Sequence, residues 1–317
     1  MSGIICTCDV AVKHLGLPGC TDQIGIPKRL IFVPTYTDAG ALNYIDTTTF
    51  TFTQAGWDAL QYNTDSSARY FPLPLDIESV EMKREDSVYN TYPSGLKKFV
   101  RDGVRSFMGV LPTIAQQIIG KLKSKGCSKH SVFIVDNNGA LVGVEKTLGK
   151  LYPMQLSDNS LSAIFDFATD TKNNEVIVKF EFAQNVADEQ LSMIPASTVG
   201  IDLFTTFNGK IDTNIVQVGT GTTTVIVVDI YTDYGTAKTK IPVEGLVAAD
   251  LALYNVTDSA SVTISTLTES TTVPGRYTIT VTAQTSTDIE RLSLASTTAA
   301  KPYSDGTWSA VQLKHQA

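Results

Sequence analysis

The stretch Ser131–Val144, SVFIVDNNGALVGV, decides the fold class. Two apolar runs flank Asp136-Asn137-Asn138-Gly139, and Asn and Gly accept the positive φ that a tight strand-to-strand turn needs. The segment is therefore expected to be a β-hairpin. The same four residues look like a fragment of a calcium loop. Such a loop needs oxygen ligands at alternating positions and a distal Glu, and Glu145 stands out of place, beyond a strand.

Strand periodicity continues on both sides. Downstream, Leu161, Ala163, Phe165 and Phe167 alternate. Val176, Val178, Phe180 and Phe182 do the same, with Lys179 and Glu181 facing the other way and DTKNN as the hairpin loop between the two runs. Upstream, Arg29–Pro34 is a short apolar run, and TTTFTFT (Thr47–Thr53) puts Phe50 and Phe52 on one face. These phenylalanines are read as core rather than as a ligand platform. Thr64–Tyr92 is polar and interrupted by Pro72 and Pro74, the pattern of a long excursion or an edge hairpin. Helical spacing is confined to one place: Leu96, Phe99, Val100, Val104, Phe107, Met108 and Leu111 recur at intervals of three and four, after Pro93 and a possible N-cap at Ser94. Pro112 breaks the pattern and can open a second helix carrying Ile114, Ile118, Ile119 and Leu122, which stops at Gly126 after three lysines.

Beyond Pro195 the composition shifts to Thr and short strands recur at close spacing. They are expected at Val216–Val218, Thr223–Tyr231, Lys238–Val243, Leu251–Asn255, Ser261–Leu267, Arg276–Ala283 and Glu290–Ala295. Such a series is the signature of an immunoglobulin-like sandwich, although this span has neither a Cys pair nor a Trp to pin it. The expected fold is mainly β. An N-terminal arm (1–26) leads into a β-sandwich or barrel-like domain (27–195) with a helical insertion (94–125). An immunoglobulin-like sandwich (196–297) and a tail (298–317) follow.

Hydrophobic residues make up 43 % of the 317 residues and charged residues 18 %, below the roughly 25 % of ordinary soluble domains. A low charge fraction suits a surface hidden against copies of itself. The net charge of −7 is uneven. Between Lys83 and Lys129 lie ten Lys/Arg and three acids, a local balance of +7 that leaves −14 for the remainder. A basic block binds nucleic acid or docks on an acidic face of a neighbouring subunit, and the acidic remainder favours docking. The residues expected at that interface are Lys97, Lys98, Arg101, Arg105, Lys121 and Lys123.

Chemistry-bearing motifs are sparse. Cys6, Cys8, His14 and Cys20 carry zinc-type ligands, but Cys-x-Cys suits a tetrahedral site less readily than Cys-x2-Cys. Cys127 and His130 lack the third group a nucleophilic pair requires. Gly219-Thr220-Gly221 has no following Lys-Ser/Thr and reads as a turn, and Asn255-Val256-Thr257 is a glycosylation sequon. No catalytic, cofactor or metal residue is assigned, and the chain is not expected to be an enzyme. No apolar run approaches 18 residues and no cationic start precedes one, so neither a membrane span nor a signal peptide is expected. The four cysteines do not form a spaced disulfide framework, so folding in a reducing cytoplasm is expected.

Two stretches carry a resemblance. Tyr92–Gly143, a polar excursion and helix followed by the strand–Asp-Asn-Gly–strand hairpin, resembles the body of tailed-bacteriophage virion proteins of the tail-tube and tail-ring type. LALYNVTDSASVTISTLTESTTVPGRYTITVTA (251–283), with its P-G-x-Y-x-I-x-V element, looks like the late strands of the immunoglobulin-like domains appended to phage proteins. The resemblance implies a ring-forming homo-oligomer around a DNA channel, located in the virion after assembly in the host cytoplasm, in contact with other virion proteins, with the sandwich outside. The alternatives are a capsid accessory or decoration protein or a glycan-binding adhesin, a hydrolase with an added sandwich, and a DNA-contacting protein.

Overall fold

A computed structural model describes residues 23–63, 65–112, 116–236, 238–285, 288–295, 302–305 and 311–314. The chain is mainly β, with three α-helices among the described residues. It builds two β-sandwiches in succession.

The first unit is organised by the Ser131–Val144 segment. His130–Asp136 and Leu141–Thr147 pair antiparallel, as the sequence predicts, with Ile134 opposite Val142 and Val135 opposite Leu141. Pro27–Pro34 lies against the other edge of the 130–136 strand, with Ile31 opposite Phe133. Both central strands are apolar on both faces because both faces are covered. Leu30, Phe32, Val132 and Ile134 enter one core, whereas Ile31, Val33, Phe133 and Val135 enter another. Continuous runs such as LIFV and VFIV reflect a strand buried on two sides. The eight-stranded sheet runs Ile45–Asp46, Lys150–Tyr152, Leu141–Thr147, His130–Asp136, Pro27–Pro34, Phe71–Pro72, with Met154–Gln155 and Leu191–Ile194 attached.

A four-stranded sheet covers the first face. Its order is Ser162–Asp166, Glu175–Glu181, Arg105–Pro112, Glu78–Arg84. Phe107 sits opposite Phe180, the two rings stacked with centroids 4.7 Å apart. The second face is covered by α1 (Gln54–Gln61) and by the segment running through Leu203 and Phe207. Trp57 is fully buried there and donates its indole N–H to the Val199 carbonyl at 3.0 Å.

Several expectations are corrected. The helix read over Leu96–Leu111 is two strands, Lys97–Arg101 and Arg105–Pro112. In the second of these, burial alternates through Phe107, Gly109 and Leu111, a period of two. The apparent three-and-four spacing came from adding two strands across the irregular break at 102–104. Pro93-Ser94 is a hairpin tip rather than a helix start. The Gly95 N–H bonds to the Tyr92 carbonyl at 2.8 Å, and Gly95 has φ +80. Of the helical insertion 94–125, α2 (Gln117–Gly126) is the part that is helical among the described residues. It turns Ile118 and Leu122 into the core and ends at the expected glycine, while Pro112 closes the preceding strand. Ile114 lies outside the described residues. Thr47–Thr53 is not a strand. It is the approach to α1, capped where the Thr53 hydroxyl accepts the Gly56 N–H, and it packs Phe50 and Phe52 on Trp57. Phe167 is 80 % exposed rather than core. Thr64–Tyr92 contains an edge strand, Glu78–Arg84, and the first strand of a hairpin, Val88–Thr91.

The second unit begins after residue 207, because α3 (Ala196–Val199), Leu203 and Phe207 belong to the first unit's packing. Its larger sheet runs Ile264–Glu269, Arg276–Val281, Val225–Gly235, Ile211–Gln217, Tyr303–Asp305, with Lys240–Pro242 attached. The smaller runs Ala260–Val262, Leu251–Asn255, Ile289–Leu294, Val311–Lys314. The tail thus supplies one strand to each sheet. Ile226, Val228, Ile230, Tyr277 and Ile279 from one sheet meet Leu251, Leu253 and Leu292 from the other. With no disulfide to pin this core, Tyr277 crosses it and donates its hydroxyl to the Val243 carbonyl at 2.8 Å. A buried hydroxyl needs such a partner.

Candidate functional site

Among the described residues, a two-stranded hairpin, Val88–Thr91 paired with Lys97–Arg101, forms a sheet of its own that joins neither sandwich. Every residue of both strands is exposed. Tyr89 lies opposite Phe99, their rings edge-to-face at 5.9 Å. Tyr92 and Leu96 flank the tip, and Leu96 is 65 % exposed. Val88, Tyr89, Tyr92, Phe99 and Val100 are between 41 % and 56 % exposed. In register, Tyr89 and Phe99 lie on one face and Tyr92 and Leu96 on the other, so neither face is polar. An isolated two-stranded ribbon is marginal in water, and clustered exposed apolar groups mark an interaction surface.

The base of the hairpin is built firmly. Asp102 receives Arg84 at 3.3 Å and the Ser87 hydroxyl at 3.1 Å, and the Glu85 N–H bonds to the Val104 carbonyl at 2.9 Å. A Cβ at Gly103 would stand 1.9 Å from the Glu85 carbonyl oxygen, so only glycine fits this crossing. A fixed root with an apolar, uncovered blade is the geometry of a docking arm.

The six cations expected at an interface do not share one face. Lys97, Lys98 and Arg101 stand on the hairpin, and no carboxylate among the described residues pairs with them. Arg105 heads the next strand and, with Arg84, holds Asp188 inside the same chain. Lys121 faces the second unit, bonding Asp212 at 2.7 Å and Asp233 at 3.4 Å. Burial works against its charge, but the hydrogen bond and charge of Asp212 outweigh it and raise the pKa. Lys123 is exposed on α2. Leu96, Phe99 and Val100, expected on the buried face of a helix, instead stand exposed among these cations on the hairpin. The signal was present in V-Y-N-T-Y and L-K-K-F-V-R around Pro93-Ser94-Gly95.

The other candidates resolve plainly. Cys6, Cys8, His14 and Cys20, like Trp308 and His315, lie outside the described residues. Cys127 is exposed, and its thiol leans on the Lys123 carbonyl at 3.7 Å. His130 is buried and shares a hydrogen bond of 2.9 Å with the Ser128 hydroxyl through Nδ1. Asp136 uses its carboxylate on backbone N–H groups of its own turn. Asn255 is 1 % exposed, and its amide bonds Asp258 and Gln284, which leaves no room for a glycan. Gly219, at φ +69, is a turn residue. Among the described residues no group of three His, Cys, Asp or Glu gathers as a metal site, and no helix is long and apolar enough to cross a membrane. No protein-family model matches this sequence, and no curated protein matches it.

Proposed function

We propose that this chain is a self-assembling structural subunit, a ring-forming virion protein of the tail-tube or tail-ring type, whose 88–101 hairpin docks on a neighbouring copy. The observation that carries the reading is the hairpin itself, apolar on both faces, cationic, and rooted so that it is presented to solvent. A receiving face of suitable character exists on the same chain. The edge strand Ser162–Asp166 exposes Ile164 and leads to Phe167, 46 % and 80 % exposed, with Asp158, Asp166 and Asp170 nearby in sequence. Open strand edges invite pairing with another chain, and a closed ring removes them. The phage assignment rests on the sequence resemblance. In that reading the ring encloses a DNA channel, and the second sandwich stands outside.

Sedimentation and electron microscopy of the purified full chain test the proposal. Rings or tubes are expected. Reversing Lys97, Lys98 and Arg101 to Glu, or changing Tyr89, Leu96 and Phe99 to Ser, should raise the concentration needed for assembly at least about tenfold, equivalent to about 1.4 kcal/mol. Circular dichroism should stay unchanged in both variants. A wild-type chain that stays monomeric at every concentration and salt, or variants that assemble as it does, would refute the docking role.

A further inference from the structure

A second feature lies where the two units meet. A cleft of about 510 Å³ opens between the Phe71–Leu75 segment, α2 and the start of the 211–217 strand. That volume falls within the range of about 300–1,000 Å³ typical of small-molecule sites. Phe71, Leu73, Leu75, Ile118, Leu122 and Ile211 form its apolar lining. The charged lining is Arg69, Lys121, Lys125 and Lys210 against Asp212, a positive balance in a chain whose net charge is −7.

Three of these cations are engaged. Lys121 holds Asp212 and Asp233, Arg69 donates to the Asn63 carbonyl at 2.9 and 2.7 Å, and Lys210 lies over the Tyr62 ring at 4.8 Å. Lys125 differs. Its ammonium sits 3.2 Å from the centroid of the Phe71 ring, and among the described residues no carboxylate comes within ion-pair distance. The side chain is partly buried, so the charge has exchanged part of its water for a ring face, with Asp212 acting on it only from beyond ion-pair distance. Burial pushes its pKa down to about 8. A half-dehydrated cation beside an open apolar cavity is complementary to an anion whose body is apolar.

We propose that this cleft binds a small amphipathic anion, its head on Lys125 and its alkyl or aromatic body on the Phe71, Leu75 and Leu122 side chains. The hairpin of another copy does not suit the cleft, because Lys97, Lys98 and Arg101 would bring like charge to it. The inference does not depend on assembly and can fail or hold by itself.

The test uses the full chain with two probes, anilinonaphthalene sulfonate and decanoate. Dye fluorescence should rise with one saturable site per chain, and decanoate should displace the dye. Lys125→Met keeps the aliphatic stem and should weaken both probes at least about tenfold at pH 7. Leu75→Trp fills the cavity and should abolish binding. Affinity in the unmodified chain should fall as pH rises past about 8 and the Lys125 ammonium loses its proton, and the Met variant should lack this step. The groups facing Lys125 are Arg69, Lys121, Lys210, Asp212 and Tyr234 around the cleft, with His130 beyond Phe71, and His130 titrates far lower, at about 4. Absence of a saturable site, or equal affinity in Lys125→Met, overturns the proposal. So does loss of the dye signal in the Tyr89, Leu96, Phe99 to Ser variant with the cleft intact, because it would place the dye on the hairpin.

Discussion

Replacing Asp136 by Ala should destabilise the first unit by about 2–3 kcal/mol, and the bonds it makes say why. The residue is fully buried at the turn between the two central strands. Oδ1 accepts the N–H of Ala140 at 2.8 Å and of Asn138 at 2.9 Å, and Oδ2 accepts that of Gly25 at 2.9 Å. The Ala140 amide is buried, so losing its acceptor leaves a dry donor, a penalty of about 1–3 kcal/mol. The Asn138 and Gly25 amides are partly exposed and recover water, so each loses only about 0.5–1 kcal/mol. Relief of the carboxylate's own dehydration offsets part of the total. Asp136→Asn keeps the oxygen that serves two amides and turns an NH2 toward Gly25, which predicts a smaller loss of about 1 kcal/mol. Urea unfolding followed by Trp57 fluorescence and circular dichroism measures both variants. An Ala variant within about 0.5 kcal/mol of the parent, or an Asn variant as damaged as Ala, would refute this account of the turn.

Three further outcomes are expected. Excising Ser87–Asp102 and closing Asp86 to Gly103 with two glycines should leave the melting temperature nearly unchanged, since no residue of either hairpin strand is buried; a large loss in a thermal scan would mean that the arm is part of the fold. Gly143→Ala should cost more than about 2 kcal/mol in urea unfolding, because its Cβ would lie 2.5 Å from the Tyr152 carbonyl oxygen and 3.0 Å from Phe133. His130 is held well below its ordinary 6.5, at about 4, first by burial and then by the charge of Lys125. Its folded pKa is depressed, so between these values the unfolded chain binds the extra proton. The stability that neutral His130 contributes is complete above pH 6.5 and is lost as pH falls to about 4. Acid titration of stability should flatten by about 3 kcal/mol in His130→Gln, and an unchanged slope would contradict the assignment.

Residue order alone determined a good part of this protein. Period-two alternation through Val176–Phe182, the Asp-Asn-Asn-Gly turn, and the short Thr-rich strands beyond Pro195 are local signals, and each produced the element it announces. Tertiary structure decided the rest. Whether Leu96–Leu111 is helix or strand depended on Gly95 turning the chain, on Gly103 letting it pass close to the Glu85 carbonyl, and on an open edge beside Glu175–Glu181 that could take Arg105–Pro112 as a partner. The end of the first unit lies past residue 207 rather than at Pro195, because Trp57 and Arg29, far away in sequence, capture the carbonyls of Val199 and Leu203. Candidate sites were legible only as a local surplus of lysine and arginine. Arg105 and Lys121 are satisfied within the chain, Lys97 and Lys98 stand on a bare hairpin, and Lys125 is half-dehydrated over Phe71. A charge is visible in one residue, but its burial and its partners are properties of the neighbours the fold brings to it.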